Sequence, residues 1–513
     1  MMARAVRVVP DQYRDSIALM HLSAILAKLP GVTQAFALMG SPSNLALLRE
    51  AKLDNGTIEA GLNDLVIVIA GTTDAQVADA MEVARQTLEE RPASGTEGTL
   101  SVEMPARSSA MALAREPRAN LALVSTPGDY AAAEAEKALR LGLNVMLFSD
   151  NIPLADEIAL KRLARERRLL VMGPDCGTAI INGVPLAFAN VVRRGDIGCV
   201  AASGTGLQQV TCLIDRLGAG VSQAVGTGGR DLSAEVGGIS MLEGIAALAD
   251  DANTKVIVLI SKPPSPEVGE AVLEAAGRTG KPIVVNFLGA DPRAIEAPNL
   301  HPATTLEDAA RAAVALRNGQ RPSPHDRGQQ QPRPAVPKLG NGRRYVRGLY
   351  SGGTFCYEAS LLLTHTLGKV QSNAPVDPRD HLDDVWVARG HTIIDLGDDV
   401  FTRGRPHPMI DHRLRNERLA REAADPEVGV ILFDVVLGYG SHPDPAEEMA
   451  AALNEARAKA PDLIFVGFVC GTEQDPQGLA RQEARLRAAG VVLADCNAAA
   501  VRLTASILTK DAR

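Results

Sequence analysis

Two short glycine turns carry the chemistry that this sequence offers most openly. Ser203-Gly204-Thr205-Gly206 follows the strand-like run 197–202, and Ser351-Gly352-Gly353-Thr354 follows the run Tyr345–Tyr350. Each precedes a helix-like stretch, 207–217 and 355–367. A strand, a small-residue turn and a helix start leave backbone N–H groups free, and the helix dipole adds positive potential there. Glycine lets an oxyanion come close to the backbone, and Ser or Thr hydroxyls add hydrogen bonds. One such turn is an ordinary capped helix start. Two in similar settings predict a duplicated unit that handles phosphate or a carboxylate.

Further candidates cluster around these turns. Gly228, Gly229, Arg230 and Asp231 lie in a loop after the strand 220–225. Ligands collect at the carboxyl ends of such strands. Arg230 has the fork geometry to hold a phosphate or carboxylate, and is otherwise a plain surface arginine. In the second copy Arg403 and Arg405 flank Gly404, with Asp398 and Asp399 nearby. Cys176, in Gly-Pro-Asp-Cys-Gly, is a candidate nucleophile. Without an identifiable histidine partner, a buried thiol is the preferred reading. His407 and His412 are badly spaced for a shared metal, so these and His442 read as bases or loop residues. No metal site is expected, and no catalytic acid or base stands out.

The chain that must position these residues has 513 of them, 46% hydrophobic and 22% charged. That is enough for about three or four domains. A net charge of −8 and 3% aromatic content argue against a nucleic-acid surface, which needs basic stripes and stacking platforms. No apolar run spans a bilayer and no signal-peptide pattern is present, so neither a membrane nor secretion is expected and the cytoplasm is. The six cysteines form no CxxC pair, which fits reduced thiols rather than structural zinc.

The pattern of elements changes along the chain. Residues 1–100 read as a small ferredoxin-like α+β module. From 115 to 194 apolar strands alternate with helices, as in a parallel, doubly wound sheet. A third unit, 195–317, holds the first glycine turn. The proline-rich stretch 318–341, with Gln329–Gln331, is a linker. The last unit, 342–513, repeats the third in element order, and 250–259 reads like 424–432 in local wording.

At this point the motifs resemble a known family. Residues 119–317 resemble the α subunit of succinyl-CoA synthetase. Met172-Gly173-Pro174-Asp175-Cys176-Gly177 is similar to its G-P-N-C-P-G. Residues 198–205 are similar to G-I-V-S-R-S-G-T, and Val225-Gly226-Thr227-Gly228-Gly229-Arg230-Asp231 to V-G-I-G-G-D-P. The second copy resembles the carboxy-terminal ligase domain of the β subunit. The whole chain looks most like the FdrA family of acyl-CoA-synthetase-like proteins.

The resemblance implies a Rossmann-like, CoA-binding-like domain at 115–194 and two flavodoxin-like, ligase-type parallel-sheet domains, with the amino-terminal module added. The departures define the expected chemistry. The family's phosphohistidine lies in G-H-A-G, where this chain has Gly289-Ala290-Asp291-Pro292-Arg293-Ala294, and nearby His301 reads as a turn residue. An ATP-grasp domain and a P-loop are missing. The nearest thing to a nucleotide turn is Ser125-Thr126-Pro127-Gly128. The expectation is therefore a protein handling a carboxylate and phosphate or acyl phosphate at helix N-termini, with CoA as the candidate cofactor. FdrA-type proteins also imply an alternative, a component of oxamate carbamoyltransferase that converts oxalurate and phosphate to oxamate and carbamoyl phosphate. A third is a scaffold completed by partner subunits or by further copies of this chain.

Overall fold

The computed structural model describes residues 3–14, 16–51, 53–54, 57–89, 106–295, 297–322, 337–402 and 405–510. Most of the expected linker, and Arg403 and Gly404, fall outside them.

The amino-terminal module runs β1 (Ala3–Val9), α1 (Ser16–Ala27), β2 (Val32–Met39), α2 (Pro42–Glu50), β3 (Leu65–Gly71) and α3 (Asp74–Glu89). Its sheet has the order β1-β3-β2, with β3 antiparallel to both neighbours. Side chains alternate across a strand. Leu65, Ile67 and Ile69 therefore pack with Leu19, Leu22, Leu26 and Val77, while Val66 and Val68 pack with Leu45 and Leu48 on the other face. Lys28, beyond α1, ties the module to the carboxy-terminal half: its Nζ lies 3.1 Å from His442 Nε2 and 3.4 Å from Glu448 Oε2.

Next come α4 (Ser109–Arg115), β4 (Leu121–Val124), α5 (Gly128–Arg140), β5 (Asn144–Leu147), α6 (Leu154–Glu166) and β6 (Val171–Met172). The three strands form a parallel sheet in the order β4-β5-β6. Alanines 131, 135 and 138 of α5 lie at helical spacing and are fully buried against it.

The following stretch comprises β7 (Thr178–Ile181), β8 (Val184–Ala187), β9 (Arg194–Ala201), α7 (Gly204–Arg216), β10 (Val221–Gly226), α8 (Ile239–Asp250), β11 (Val256–Ser261), α9 (Pro266–Gly277), β12 (Ile283–Phe287), β13 (Leu300–Pro302) and α10 (Leu306–Arg317). Its sheet order is β13-β12-β11-β9-β10-β7-β8. Strands β9 to β13 thus follow the flavodoxin order 2-1-3-4-5, with the switch point beside β9. The β7–β8 hairpin joins this sheet through β10. It turns on Asn182-Gly183, both at positive φ (51° and 80°), as a two-residue hairpin requires. His301, expected in a turn, sits instead on β13, paired with Val284 of β12.

The last unit contains β14 (Tyr345–Tyr350), α11 (Gly353–Leu367), β15 (Val370–Ser372), β16 (His391–Asp395), α12 (Asp399–Thr402), α13 (Arg413–Ala423), β17 (Val428–Val436), α14 (Pro445–Lys459), β18 (Ile464–Cys470), α15 (Leu479–Ala488), β19 (Val492–Ala494) and α16 (Asn497–Lys510). Its order, β15-β16-β14-β17-β18-β19, repeats 2-1-3-4-5 with β15 added at one edge. Each glycine turn therefore ends strand one of its sheet.

The two sheets share one apolar core through α7, α10, α11 and α16, where Leu207, Val210 and Ala309 meet Phe355, Ala359 and Val501. Two polar groups cross it reciprocally. Gln209 of α7 accepts the Asn497 N–H that opens α16 (3.2 Å), and Glu358 of α11 accepts the Leu306 N–H that opens α10 (2.8 Å). Both lie six residues beyond their helix N-caps, Ser203 and Gly352. Each half thus caps the last helix of the other. Burial pushes the Glu358 carboxyl up from 4.5 to about 7, against the pull of the Leu306 amide and of Asn497. With the folded-state value above the unfolded one, its contribution is full below pH 4.5 and fades as the pH rises through 7. Wild-type stability should fall by roughly 3 kcal/mol from this group over that window. Urea melts at pH 5 and 7.5 should show a flatter dependence for Glu358→Gln; equal slopes would exclude this carboxyl as the source.

Candidate active site

The two glycine turns meet. Ser203 caps α7, its Oγ accepting the Gly206 N–H at 2.9 Å, and the same Oγ lies 2.6 Å from Thr354 Oγ1. Thr205 stands over the second turn: a Cβ on Gly352 would lie 2.9 Å from its Cγ2 and 3.0 Å from its Oγ1. The N-termini of α7 and α11 therefore converge from opposite sheets. The sequence offers the turns as two candidate anion sites; packing of α7 on α11 brings the turns themselves together.

The second turn already holds an anion, supplied by the chain itself. Asp434, inside the apolar strand β17, accepts the Ser351 N–H (2.8 Å), the Gly352 N–H (3.0 Å) and the Ser351 hydroxyl (2.8 Å). Arg415 of α13 pairs with it at 3.1 Å, and both side chains are buried. Burial raises the Asp434 carboxyl above its usual range, against the opposing pull of Arg415 and Ser351. The groups left facing outward are Gly204, which is exposed, with Thr205 and Gly353, which are half-buried.

A second carboxylate approaches the same end of α11. Asp395 closes β16 and is 8% exposed. Its Oδ1 accepts the Gly397 N–H at 2.9 Å, and Asn373 clamps its backbone, donating to its carbonyl (3.0 Å) and accepting its N–H (2.9 Å). Oδ2 lies 2.6 Å from where a Cβ on Gly353 would stand. Burial pushes this carboxyl up to about 7, with Lys262 opposing and Asp398 and Asp434 adding to the rise. His407 is beside it: a Cβ on Gly397 would lie 2.8 Å from His407 Nε2, 2.8 Å from the Ser351 carbonyl and 3.1 Å from Asp395 Oδ1. Burial, with Arg415 adding, holds His407 down to about 4, so it is neutral at physiological pH.

The other candidates serve mainly to build the fold. Gly228, at φ 86°, lets its loop pass the Gly173-Pro174 turn; a Cβ there would collide with the Pro174 carbonyl. Gly229 is exposed. Asp231 accepts the Ser240 and Met241 N–H groups (3.1 and 2.8 Å) at the start of α8 and pairs with buried Lys161 at 2.7 Å. Arg230 pairs with Glu157 at 2.9 Å and donates to the Ile152 carbonyl at 2.8 Å, so its guanidinium is engaged by the protein, although half-exposed. Cys176 is 2% exposed, and burial pushes its thiol up to about 12. That removes the thiolate a nucleophile needs. Arg405 is exposed, while Arg403 lies outside the described residues.

Comparison with known proteins fits this architecture. Sequence models match in three places: "CoA-ligase" at 349–507, "CoA binding domain" at 192–289, and "AllF, heavy metal-associated domain" at 2–103. An uncharacterized Escherichia coli (strain K12) protein, YahF, is 43% identical over 502 residues, covering 96% of either chain. The succinate–CoA ligase α subunit 2 of Archaeoglobus fulgidus is 28% identical over 198 residues, 37% of this chain and 66% of that one. The chain belongs to the acyl-CoA-synthetase-like proteins related to succinyl-CoA synthetase. The malate–CoA ligase α subunit of Methylorubrum extorquens is 28% identical over 163 residues, 30% of this chain and 54% of its own length. A Ca. Korarchaeum cryptofilum acetyl-coenzyme A synthetase 1, solved with phosphate and ADP, aligns at 16% identity over 77% of this chain and 85% of that one, with a TM-score of 0.32.

Two groups implied by these names can be tested on the residues. Residues 2–103 contain no cysteine, and among the described residues no three His, Cys, Asp or Glu side chains are placed to hold a metal. The module therefore lacks the thiolates that soft metals take. For CoA, the β4–α5 turn has Pro127 as its N-cap, with no side-chain capping bond, and Gly128 backs closely onto the Asp150 and Asn151 carbonyls. Pro127 offers no N–H there, so an anion at this turn would rest on the first amides of α5 itself. Among the described residues no helix is long and apolar enough to cross a membrane.

Sequence reasoning missed Asp434 and Asp395, although each is an acid within or ending an apolar strand, the one visible signal. Arg415→Met should leave Asp434 buried without its cation. The expected cost is about 3–5 kcal/mol in a denaturant melt; a loss under about 1 kcal/mol would show that the amides alone suffice.

Proposed function

We propose that the converging ends of α7 and α11 form a single anion site that handles a small carboxylate together with phosphate or its acyl phosphate, without a phosphohistidine. The contact between Ser203 and Thr354 carries this reading. It puts two helix N-termini, each at the switch point of its own sheet, at one point where a developing oxyanion would be stabilised from both sides. Asp434 fills only the amides of Ser351 and Gly352, leaving the first residues of both helices outward. The carboxylate class is supported by the relatives' names, succinate–CoA and malate–CoA ligase subunits. CoA remains a candidate ligand on family grounds.

The AllF-type module favours a second reading. Here the chain is a component of oxamate carbamoyltransferase in allantoin breakdown, and carbamoyl phosphate occupies the same site. Oxalurate and phosphate would give oxamate and carbamoyl phosphate: the phosphate oxygen forms a bond to the carbamoyl carbon, the C–N bond to oxamate breaks, and the amide nitrogen takes the proton.

Thermal-shift titration separates the readings. Phosphate should raise the melting temperature under both; a further shift with CoA supports the ligase reading, and one with carbamoyl phosphate and oxamate supports the transferase. The double variant Thr205→Ala, Thr354→Ala should weaken phosphate binding about tenfold or more, the loss expected for two hydroxyl contacts to an anion. Unchanged affinity would remove the turns from the site. Ser203→Ala is less diagnostic, because losing the α7 cap alone costs about 1 kcal/mol.

A further inference from the structure

The end of α11 is approached by two carboxylates, and only one of them is accounted for. Asp434 has Arg415 and two backbone amides. Asp395 has one oxygen pinned by the Gly397 N–H, while its Oδ2 accepts no hydrogen bond among the described residues and faces the first residue of the helix. Two glycines keep the space around it open. A side chain on Gly353 would strike Oδ2, and one on Gly397 would strike His407 Nε2. His407 Nδ1 accepts the Met409 N–H at 3.2 Å, which leaves the ring proton on Nε2. Nε2–H is thus a donor beside Asp395.

A bare carboxylate would repel an anionic ligand at this place, whereas a protonated one donates to it. We propose that Asp395 and His407 complete the anion site as a pair of donors, Asp395 as the protonated acid and His407 through Nε2–H, so that binding a dianion draws one proton from solvent onto Asp395. This rests on reading the converging turns as an anion site. The charged groups facing Asp395 are Lys262 at the end of β11, Asp398 on its own loop and Asp434 on β17, with neutral His407 beside it and Arg415 behind Asp434. The proton exchanged is assigned to Asp395 because its Oδ2 accepts no hydrogen bond among the described residues and faces the first residue of α11. The raised carboxyl, at about 7, is consistent with this assignment.

Sulfate is the probe, because it stays dianionic and exchanges no proton itself. Isothermal titration of the full chain should show wild-type affinity falling about tenfold per pH unit between pH 7.5 and 8.5. Asp395→Asn, which keeps a donor at the same place, should bind with little change across that range. Asp395→Ser, smaller and a second check on folding, should also lack the pH slope. His407→Gln should stay within about threefold of wild type, and His407→Phe should lose about tenfold or more. A slope that persists in both Asp395 variants overturns the proposal. Wild-type binding that is weakened by Thr354→Ala but flat with pH also overturns it, while leaving the anion site standing. Absence of wild-type sulfate binding at every pH removes the anion site and this proposal together.

Discussion

The structure depends on one reciprocal interaction, the capping of each half's last helix by the first helix of the other. Gln209 serves α16 and Glu358 serves α10, from the same position along their own helices. An unsatisfied helix end inside an apolar interface would cost what a lost buried hydrogen bond costs. These two contacts run beside the apolar packing of α7 on α11, which brings Ser203 within 2.6 Å of Thr354, the contact on which the proposed site rests. Asn497 extends the arrangement: it donates to Glu358 and to the Phe355 carbonyl, and accepts from the Tyr350 hydroxyl at the end of β14.

Duplication has left the two turns with different chemistry. In the first, Ser203 supplies the cap and Gly204 is exposed. In the second, the N-cap is Gly352, without a side-chain cap, and a strand carboxylate from β17 takes the amides instead. The second copy thus uses its anion-binding geometry largely to hold itself together, and the pairing with Arg415 neutralises the acid it has taken in. At the junction the first turn leaves Gly204 and Thr205 outward, and the second only Gly353. The site is asymmetric although the frame around it is nearly symmetric.

Charges buried away from this junction serve packing between layers. Lys161 of α6 reaches Glu157, Asp231 and the Thr227 carbonyl, joining the three-stranded sheet to the loop after β10. Arg230 extends the same cluster through Glu157. This is why a glycine-rich loop that matches a ligand-binding motif in wording is here largely committed to holding two layers in place.

Much of the fold was legible in the sequence. Alternating apolar strands and helices marked the parallel sheets, and the strand–glycine–helix motif placed both turns at helix starts, because local sterics and hydrogen bonding decide those features. The hairpin at Asn182-Gly183 was missed, although the dipeptide is a local turn signal. Which partners the turns meet was not local. The acid that fills the second turn lies 83 residues away along the chain, and Thr354 is 151 residues from Ser203. The sequence by itself determined two strand–glycine–helix turns; only tertiary packing decided that their helix ends meet, that Asp434 takes two amides of the second, and that Asp395 and His407 stand beside it. Residue spacing cannot carry that information, because side chains on different strands are brought together only when the sheets assemble and the helices between them are capped.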